Sequence, residues 1–583
     1  MWQDTDALIF LALLMKRVAM KKVLLGSYSF LLLSCYALAS SNENLSYVST
    51  EKSHPATTLL SNVMHKDCIQ GLRLLHQIDT QVIMGLQNFV DNHLENLTKL
   101  VDKTRASHGR CFLIGSGSSG RIALDIAARG SKNIIGIIAG GDSAFIRARE
   151  GFEDSEDAGQ LAMQDYNITA RDLVIVISAS GSASFNIGCA KQARNVGAPV
   201  CYFYNSTQVP AKTQNLFEKQ GVIPVCVDIG AQAITGSTRL QAATLARLAL
   251  GCLLIEEQPQ TIVAGLIAIN NTINERLPDI VRIVGLEHAV FADPQANFRK
   301  NKDVAQQGYV TFIGDNTVIR DIVMDTVESA PTFSINPPRM PHESGKKRAE
   351  FQAYLAGIHD NVQAWQILTG RPLKQQDREL SLPFNITEEA LPMRPLGPGN
   401  MLIGVAWEDP EPLRASLLLA QRQGAKTALI LLSEHQITDQ IIPECDAVLI
   451  LDRLPHDATR LIASVGLKQI LNMISNGSMI LMNKVDGNQM IDVNAANNKL
   501  IDRAVRLAHN ILTRYNSTAH YEYATIETCI HSVLKHKKLY EERDIYTPSP
   551  VKIAVTMLYR DLNFDEAIII LENHQENLER ICS

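Results

Sequence analysis

The 583-residue sequence has no basic excess: 55 Lys and Arg stand against 61 Asp and Glu, a formal net charge of −6. A nucleic acid held through its phosphates needs the opposite balance. Aromatic residues make up only 6% of the chain and nowhere interleave with a basic stripe, so a nucleic-acid partner is excluded on both counts. Ten cysteines occur, but no Cys-x-x-Cys pair and no His/Cys cluster at zinc spacing, and no metal or other cofactor is expected. Cys111, Cys201 and Cys226 fall inside strand-like runs, where a free thiol acts as a small hydrophobe. There is no Walker loop and no nucleophile elbow. Beyond the N-terminal region no segment reaches the ~18 continuous apolar residues of a membrane span.

The N-terminus is a case apart. "MKKVLLGSYSFLLLSCYALASS", from Met20, has two lysines, an apolar stretch and Ala37-Leu-Ala39 before polar residues, the layout of a secretory signal peptide. Leu32-Leu-Ser-Cys35 is a loose lipoprotein processing box. Residues 1–45 are therefore set aside as a signal-like or mis-called segment. Export or lipid anchoring would follow from it, whereas scattered unpaired cysteines suggest a reducing, cytoplasmic setting. The two signals oppose each other.

The remainder is long enough for several domains. Amphipathic helical patterns over 56–108 lead into "CFLIG", after which apolar runs at 133–141, 172–180, 199–206 and 222–229 alternate with helical stretches. Continuous apolar strands alternating with helices imply a parallel sheet covered on both faces, a doubly wound, flavodoxin-like α/β unit. The order recurs in "GYVTFIGDN" (308–316), "NMLIGVAWED" (400–409), "KTALILLSE" (426–434) and "DAVLILDRL" (446–454). Two copies of one unit are predicted, at 56–280 and 281–494, followed by a helical cap over 495–583. Only one glycine survives in Gly314-Asp-Asn-Thr317, so the second copy is read as degenerate.

The first strand runs into Gly115-Ser-Gly-Ser-Ser-Gly120 and then a helical pattern. A strand, a Gly/Ser turn and a helix make backbone N–H groups available to an anion. Three readings fit: a sugar phosphate, a dinucleotide with Asp142 as its ribose acid, or a tight structural turn. Ser178-Ala-Ser180-Gly-Ser182-Ala-Ser184 ends the third strand, where ligands of open parallel sheets bind. Hydroxyls spaced by two can donate to phosphate or sugar oxygens. Glu150 and Glu153 follow the second strand and could act on a proton beside a carbonyl or hold ring hydroxyls; solvated surface acids are the plain alternative. Thr235-Gly-Ser-Thr-Arg239 repeats the small-residue pattern before a helix.

In combination and in order, "GSGSSGR", "GIIAGGD", "EGFEDS", "SASGSAS", "TGSTR" and "NKVDGNQMIDVNAANNKLIDRA" resemble the sugar-isomerase (SIS) domain family that contains N-acetylmuramate-6-phosphate etherase and the glucokinase regulatory protein. The duplicated layout with its cap is similar to the regulatory protein. The resemblance implies a phosphorylated hexose or amino sugar bound by Gly117, Ser118 and Ser119 in the first loop and by Ser178, Ser180 and Ser182 in the second. Glu153 matches an acid that contacts sugar in the regulatory protein and serves as base in the etherase. Glu350 and Lys499 match residues supplied by the second domain and the cap. The etherase run Asp-Ala-Ser-Glu, whose glutamate donates the proton for ether cleavage, is here Asp125-Ile-Ala-Ala-Arg129. The resemblance thus implies a sugar-phosphate-responsive regulator, with a sugar kinase as possible partner, or alternatively an etherase-like lyase or sugar-phosphate isomerase using Glu153.

Overall fold

Successive residues of a strand point to opposite faces, so a strand apolar at every position must be covered on both. Cys111–Gly115 (β1) shows this: Cys111 and Leu113 pack with helices Gln81–Phe89 and Gln241–Leu254, while Phe112 and Ile114 pack with Glu156–Asp165 and Ser184–Asn195. The computed structural model describes residues 47–583 except 150, 256–257, 293–307, 334–350, 438–442, 494, 496–497, 517–520, 544–546 and 583. The signal-like segment 1–45 lies outside the described residues.

β1 pairs in parallel with Ile134–Ile138 (β2) on one side and Leu173–Ile177 (β3) on the other; Val200–Tyr204 (β4) and Ile223–Cys226 (β5) complete the order β2-β1-β3-β4-β5. The second sheet comprises Val310–Gly314 (β6), Ala353–Leu355 (β7), Met401–Trp407 (β8), Lys426–Leu432 (β9) and Ala447–Leu451 (β10). Its order, β7-β6-β8-β9-β10, is the same topology again. The expected architecture of two doubly wound parallel sheets with a helical C-terminal end is what the chain adopts. β7 was not foreseen: its three residues are too few to show a period, and it pairs at an edge, where Leu355 donates to the Ile386 carbonyl (2.7 Å).

The helices that close the two halves, Gln241–Leu254 and Leu461–Leu481, are buried along almost their whole length. A Cβ at Gly466 would collide with Ile269, so glycine there permits close helix packing. Between the halves lies a buried polar lattice. Arg247, 1% exposed at its side chain, pairs with Asp125 (2.7 Å) from the first half and Asp321 (2.7 Å) from the second. Burial works against ionisation of Asp125, yet the guanidiniums of Arg129, Arg247 and Arg320 hold its carboxyl down at about 2.

The end of the helical C-terminal region divides into Pro550–Arg560, Phe564–Asn573 and Leu578–Cys582. Asp561 ends the first in the left-handed region (φ 53°), and Asn563 with Glu566 forms a capping box that starts the second. No disulfide joins the described cysteines, and burial pushes the Cys111 and Cys201 thiols up to about 11 and about 12, consistent with inert core residues.

Candidate functional site

In both sheets the strand order reverses beside the first strand, so the crevice for a ligand lies at the carboxyl ends of β1 and β3, and of β6 and β8. In the first half, β1 turns at Ser116 into helix Gly117–Arg129. Gly117 takes φ 52°, and a Cβ at Gly120 would lie 2.5 Å from Ile138 Cγ1 and 2.6 Å from the Gly115 carbonyl oxygen. The glycines thus supply a left-handed turn and a close strand-to-helix approach. The side chain of Ser116 donates to Asn186 Oδ1 (3.3 Å) and makes no capping bond; its carbonyl accepts from the Ser119 N–H (3.1 Å), which leaves the Gly117 and Ser118 N–H groups to a guest.

The second loop converges on the same crevice. Ser178 and Ser180 are buried, Ser180 and Ser182 share a 2.8 Å hydroxyl contact, and helix Ser184–Asn195 also begins without a side-chain cap. Thr213 Oγ1 donates to the Gly181 carbonyl (2.5 Å), tying the loop to the scaffold. Glu153, half-buried, is brought to this loop by its backbone: its carbonyl accepts from the Phe185 N–H (3.0 Å) at the start of that helix.

The second half fills the corresponding positions with aspartates. Asp315 accepts from the N–H groups of Thr317 (2.7 Å), Val318 (3.3 Å) and Trp407 (2.6 Å), and Asp409 accepts from the Glu411 N–H (2.9 Å). Its helix starts are therefore already occupied by the chain's own carboxylates.

Charged side chains crowd the wall beside Ser118. Ser118 Oγ donates to Glu328, which also pairs with Arg121 (2.9 Å). Arg239 pairs with Asp325 (2.7 Å), and burial lowers Lys468 to about 8. Together these residues line a small cavity of about 30 Å³. Arg121 and Arg239 end the motifs "GSGSSGR" and "TGSTR", whereas Glu328 and Lys468 were not singled out from sequence. Of the expected residues, Gly117, Ser118, Ser119, Ser178, Ser180 and Ser182 lie on the two converging loops and Glu153 beside them. Glu350 lies outside the described residues. Lys499 is in the first turn of helix Asn498–Tyr515; its side chain is not among those described. One turn on, Arg503 pairs with Glu51 (2.5 Å) and donates to the Gly236 carbonyl (3.2 Å), which docks this helix on the Thr235–Arg239 loop. Asp142, the candidate ribose acid, is 2% exposed and held by Arg371 (2.5 Å), so it is not presented to a dinucleotide.

Residues 93–194 match the family described as "Glucokinase regulatory protein N-terminal SIS domain". The N-acetylmuramic acid 6-phosphate etherase of Bacillus pumilus (strain SAFR-032) is 30% identical over 213 residues, 35% of this chain and 67% of the etherase. That of Clostridium acetobutylicum is 31% identical over 216 residues, 36% of this chain and 68% of the etherase. The chain belongs to the SIS-domain family that contains these proteins. Among solved structures, the C-terminal domain of glucosamine-fructose-6-phosphate aminotransferase from Francisella tularensis covers 70% of this chain and 94% of its own length (14% identity, TM-score 0.41).

The duplication within this SIS chain locates an acid that the first half lacks. Glu328 stands to Gly314 as Arg129 stands to Gly115, each at the same step along the helix after its half's first strand. The two side chains cross. Arg129 reaches the second half, donating to the Thr459 carbonyl (2.8 Å) and Ser464 Oγ (2.8 Å), whereas Glu328 reaches Ser118 of the first-half loop. Asp325-Thr-Val-Glu328 has the Asp-x-x-Glu spacing that Asp125–Arg129 has lost. Aligning the halves on Gly115 and Gly314 would have found it.

Proposed function

We propose that the first-half loop binds the phosphate of a phosphorylated hexose or amino sugar, and that the chain, two SIS domains at 56–280 and 281–494 with a cap over 495–583, acts as a sugar-phosphate-responsive regulator. Gly117, Ser118 and Ser119 take the phosphate; Ser178, Ser180, Ser182 and Glu153 take the sugar, with Glu350 and Lys499 closing the site. The observation that carries this reading is that both helices at the switch point of the first sheet start without a side-chain cap, the Phe185 N–H alone being taken by the Glu153 carbonyl, whereas Asp315 and Asp409 accept from N–H groups at the corresponding places of the second. A sugar kinase remains the partner class proposed from the regulatory protein's likeness.

A second reading is favoured by Glu328. Elimination of lactate from N-acetylmuramate 6-phosphate needs a base and a proton donor; in this reading Glu153, beside the second loop, is the base and Glu328, against Ser118 of the first, the donor. A positioned acid is worth ~10²–10⁴ in rate. The deciding experiment incubates the full chain with N-acetylmuramate 6-phosphate and records bound ligand and released lactate in one sample, alongside Glu153→Gln and Glu328→Gln. Binding without release establishes the sensor; release that falls at least a hundredfold in both variants establishes the lyase. Failure to bind either this sugar or fructose 6-phosphate contradicts the phosphosugar site itself.

A further inference from the structure

A second, larger cavity of about 290 Å³ opens at the carboxyl ends of β6, β8 and β9. It is the crevice of the half whose helix starts are already occupied. Its polar wall is made of Arg129, Arg320 and Arg460, with Asn316, Thr317 and Ser464, and Trp407 supplies an apolar side.

The hydrogen-bond inventory of this wall is one-sided. Asp321, the one carboxylate on it, is taken by Arg247 (2.7 Å) and by Ser464 Oγ (2.5 Å). Three more carboxylates stand around the cavity and each has its donors: Asp125 has Arg129 and Arg247, Asp315 has the three N–H groups described above, and Asp457 has the Leu461 (2.6 Å) and Ile462 (2.9 Å) N–H groups. Arg320 and Arg460 form no ion pair among the described residues. Arg320 donates only to the carbonyls of Ile367 (2.7 Å) and Leu368 (3.2 Å), and burial lowers its affinity for its proton. Arg460 lies over the Trp407 ring (5.1 Å), its backbone held in the left-handed region (φ 56°). The indole N–H of Trp407, a residue 9% exposed, has no acceptor.

A guanidinium carries five donors and no acceptor, and buried donors without acceptors are costly. Arg320, the Trp407 indole N–H and Arg460, whose one side-chain bond among the described residues is a long one to Thr317 Oγ1 (3.5 Å), thus have donors to spare around a cavity near the lower end of small-molecule site volumes. Planar guanidiniums match the oxygens of a phosphoryl group in pairs.

The geometry points to a second anion site in this cavity, taking a phosphoryl group, either free phosphate or that of a small sugar phosphate, on Arg129, Arg320 and Arg460. It is built differently from the first: side-chain guanidiniums do here what open helix starts do there. Its occupancy also bears on the first site, because Arg129 lies on the helix that carries Gly117–Gly120 at its other end.

The test is titration calorimetry of the full chain with inorganic phosphate and with fructose 6-phosphate, read in parallel with tryptophan fluorescence. Two binding events are expected. Arg460→Glu, at an exposed side chain, weakens one at least tenfold, and Arg320→Gln does the same; Ser118→Ala leaves that event alone and weakens the other. The fluorescence change accompanies the arginine-dependent event and disappears in Trp407→Phe. Fructose 6-phosphate binding at least tenfold tighter than phosphate at this event identifies a sugar phosphate, and equal binding identifies free phosphate. A single event lost in Ser118→Ala and unchanged in both arginine variants, or no arginine-dependent event with either ligand, overturns the second site. Absence of the serine-dependent event alone counts against the first-loop reading instead.

Discussion

The two halves repeat one sheet, strand for strand, yet treat the same crevice in opposite ways. In the first, Ser116 turns away to Asn186 and the helix start stays open; in the second, Asp315 folds onto the equivalent N–H groups and joins β6 to β8 through Trp407. An uncapped helix start forfeits about 1 kcal/mol of stability, and a protein keeps one where a ligand is to supply the missing acceptor. The crossing pair Arg129 and Glu328 extends the contrast, because each half reaches into the other's crevice with a charge of opposite sign.

The hub that both halves share gives the largest predicted effect. Arg247→Met leaves Asp125 and Asp321 buried without their common partner, and is expected to cost 3–5 kcal/mol in denaturant unfolding. A cost below about 1 kcal/mol would show that the halves are not coupled through it.

Glu287 sharpens the asymmetry through pH. It belongs to helix Leu277–Ala292 and has as hydrogen-bond donor Ser478 (2.6 Å); burial raises its carboxyl to about 7 from 4.5. Between those values the folded chain keeps a proton that the unfolded chain releases, so this group's contribution to stability falls as pH rises through the window and is fully unfavourable above about 7. Glu287→Gln should therefore leave stability at pH 4.5 nearly unchanged and raise it at pH 8 by up to ~3 kcal/mol. Thermal unfolding at the two pH values reads this directly.

The smallest effect comes from undoing the cap. Asp315→Ser should lower unfolding stability by ~1–2 kcal/mol, through loss of bonds to Thr317, Val318 and Trp407. An unchanged melting temperature would mean that the carboxylate is not a cap in solution.

Much of this was legible in the residues. β1 and β3 stand out because their apolar runs are continuous and end in small polar residues, and the first loop is recognisable because its glycines answer to backbone geometry: a positive φ at Gly117 and close approach at Gly120. β7 was not legible, since an edge strand of three residues has no period. Glu328 was missed for a different reason: aligning the halves on Gly115 and Gly314 marks its position, but that it faces Ser118 of the first loop is decided by how the halves pack. The same holds for the arginines around the second cavity. Arg129, Arg320 and Arg460 are separated in sequence and meet only because helix Leu461–Leu481 brings Arg460 and Ser464 against the other two.

The central claim is that the open helix start at Gly117 holds the phosphate of a sugar. Ser116→Asp converts that start into the second half's arrangement while leaving Ser118, Ser119, the serines of the second loop and Glu153 in place. Titration calorimetry of fructose 6-phosphate or N-acetylmuramate 6-phosphate into this variant should show the first-loop binding event weakened at least a hundredfold, with the melting temperature unchanged or raised. Binding as tight as in the unaltered chain would contradict the account.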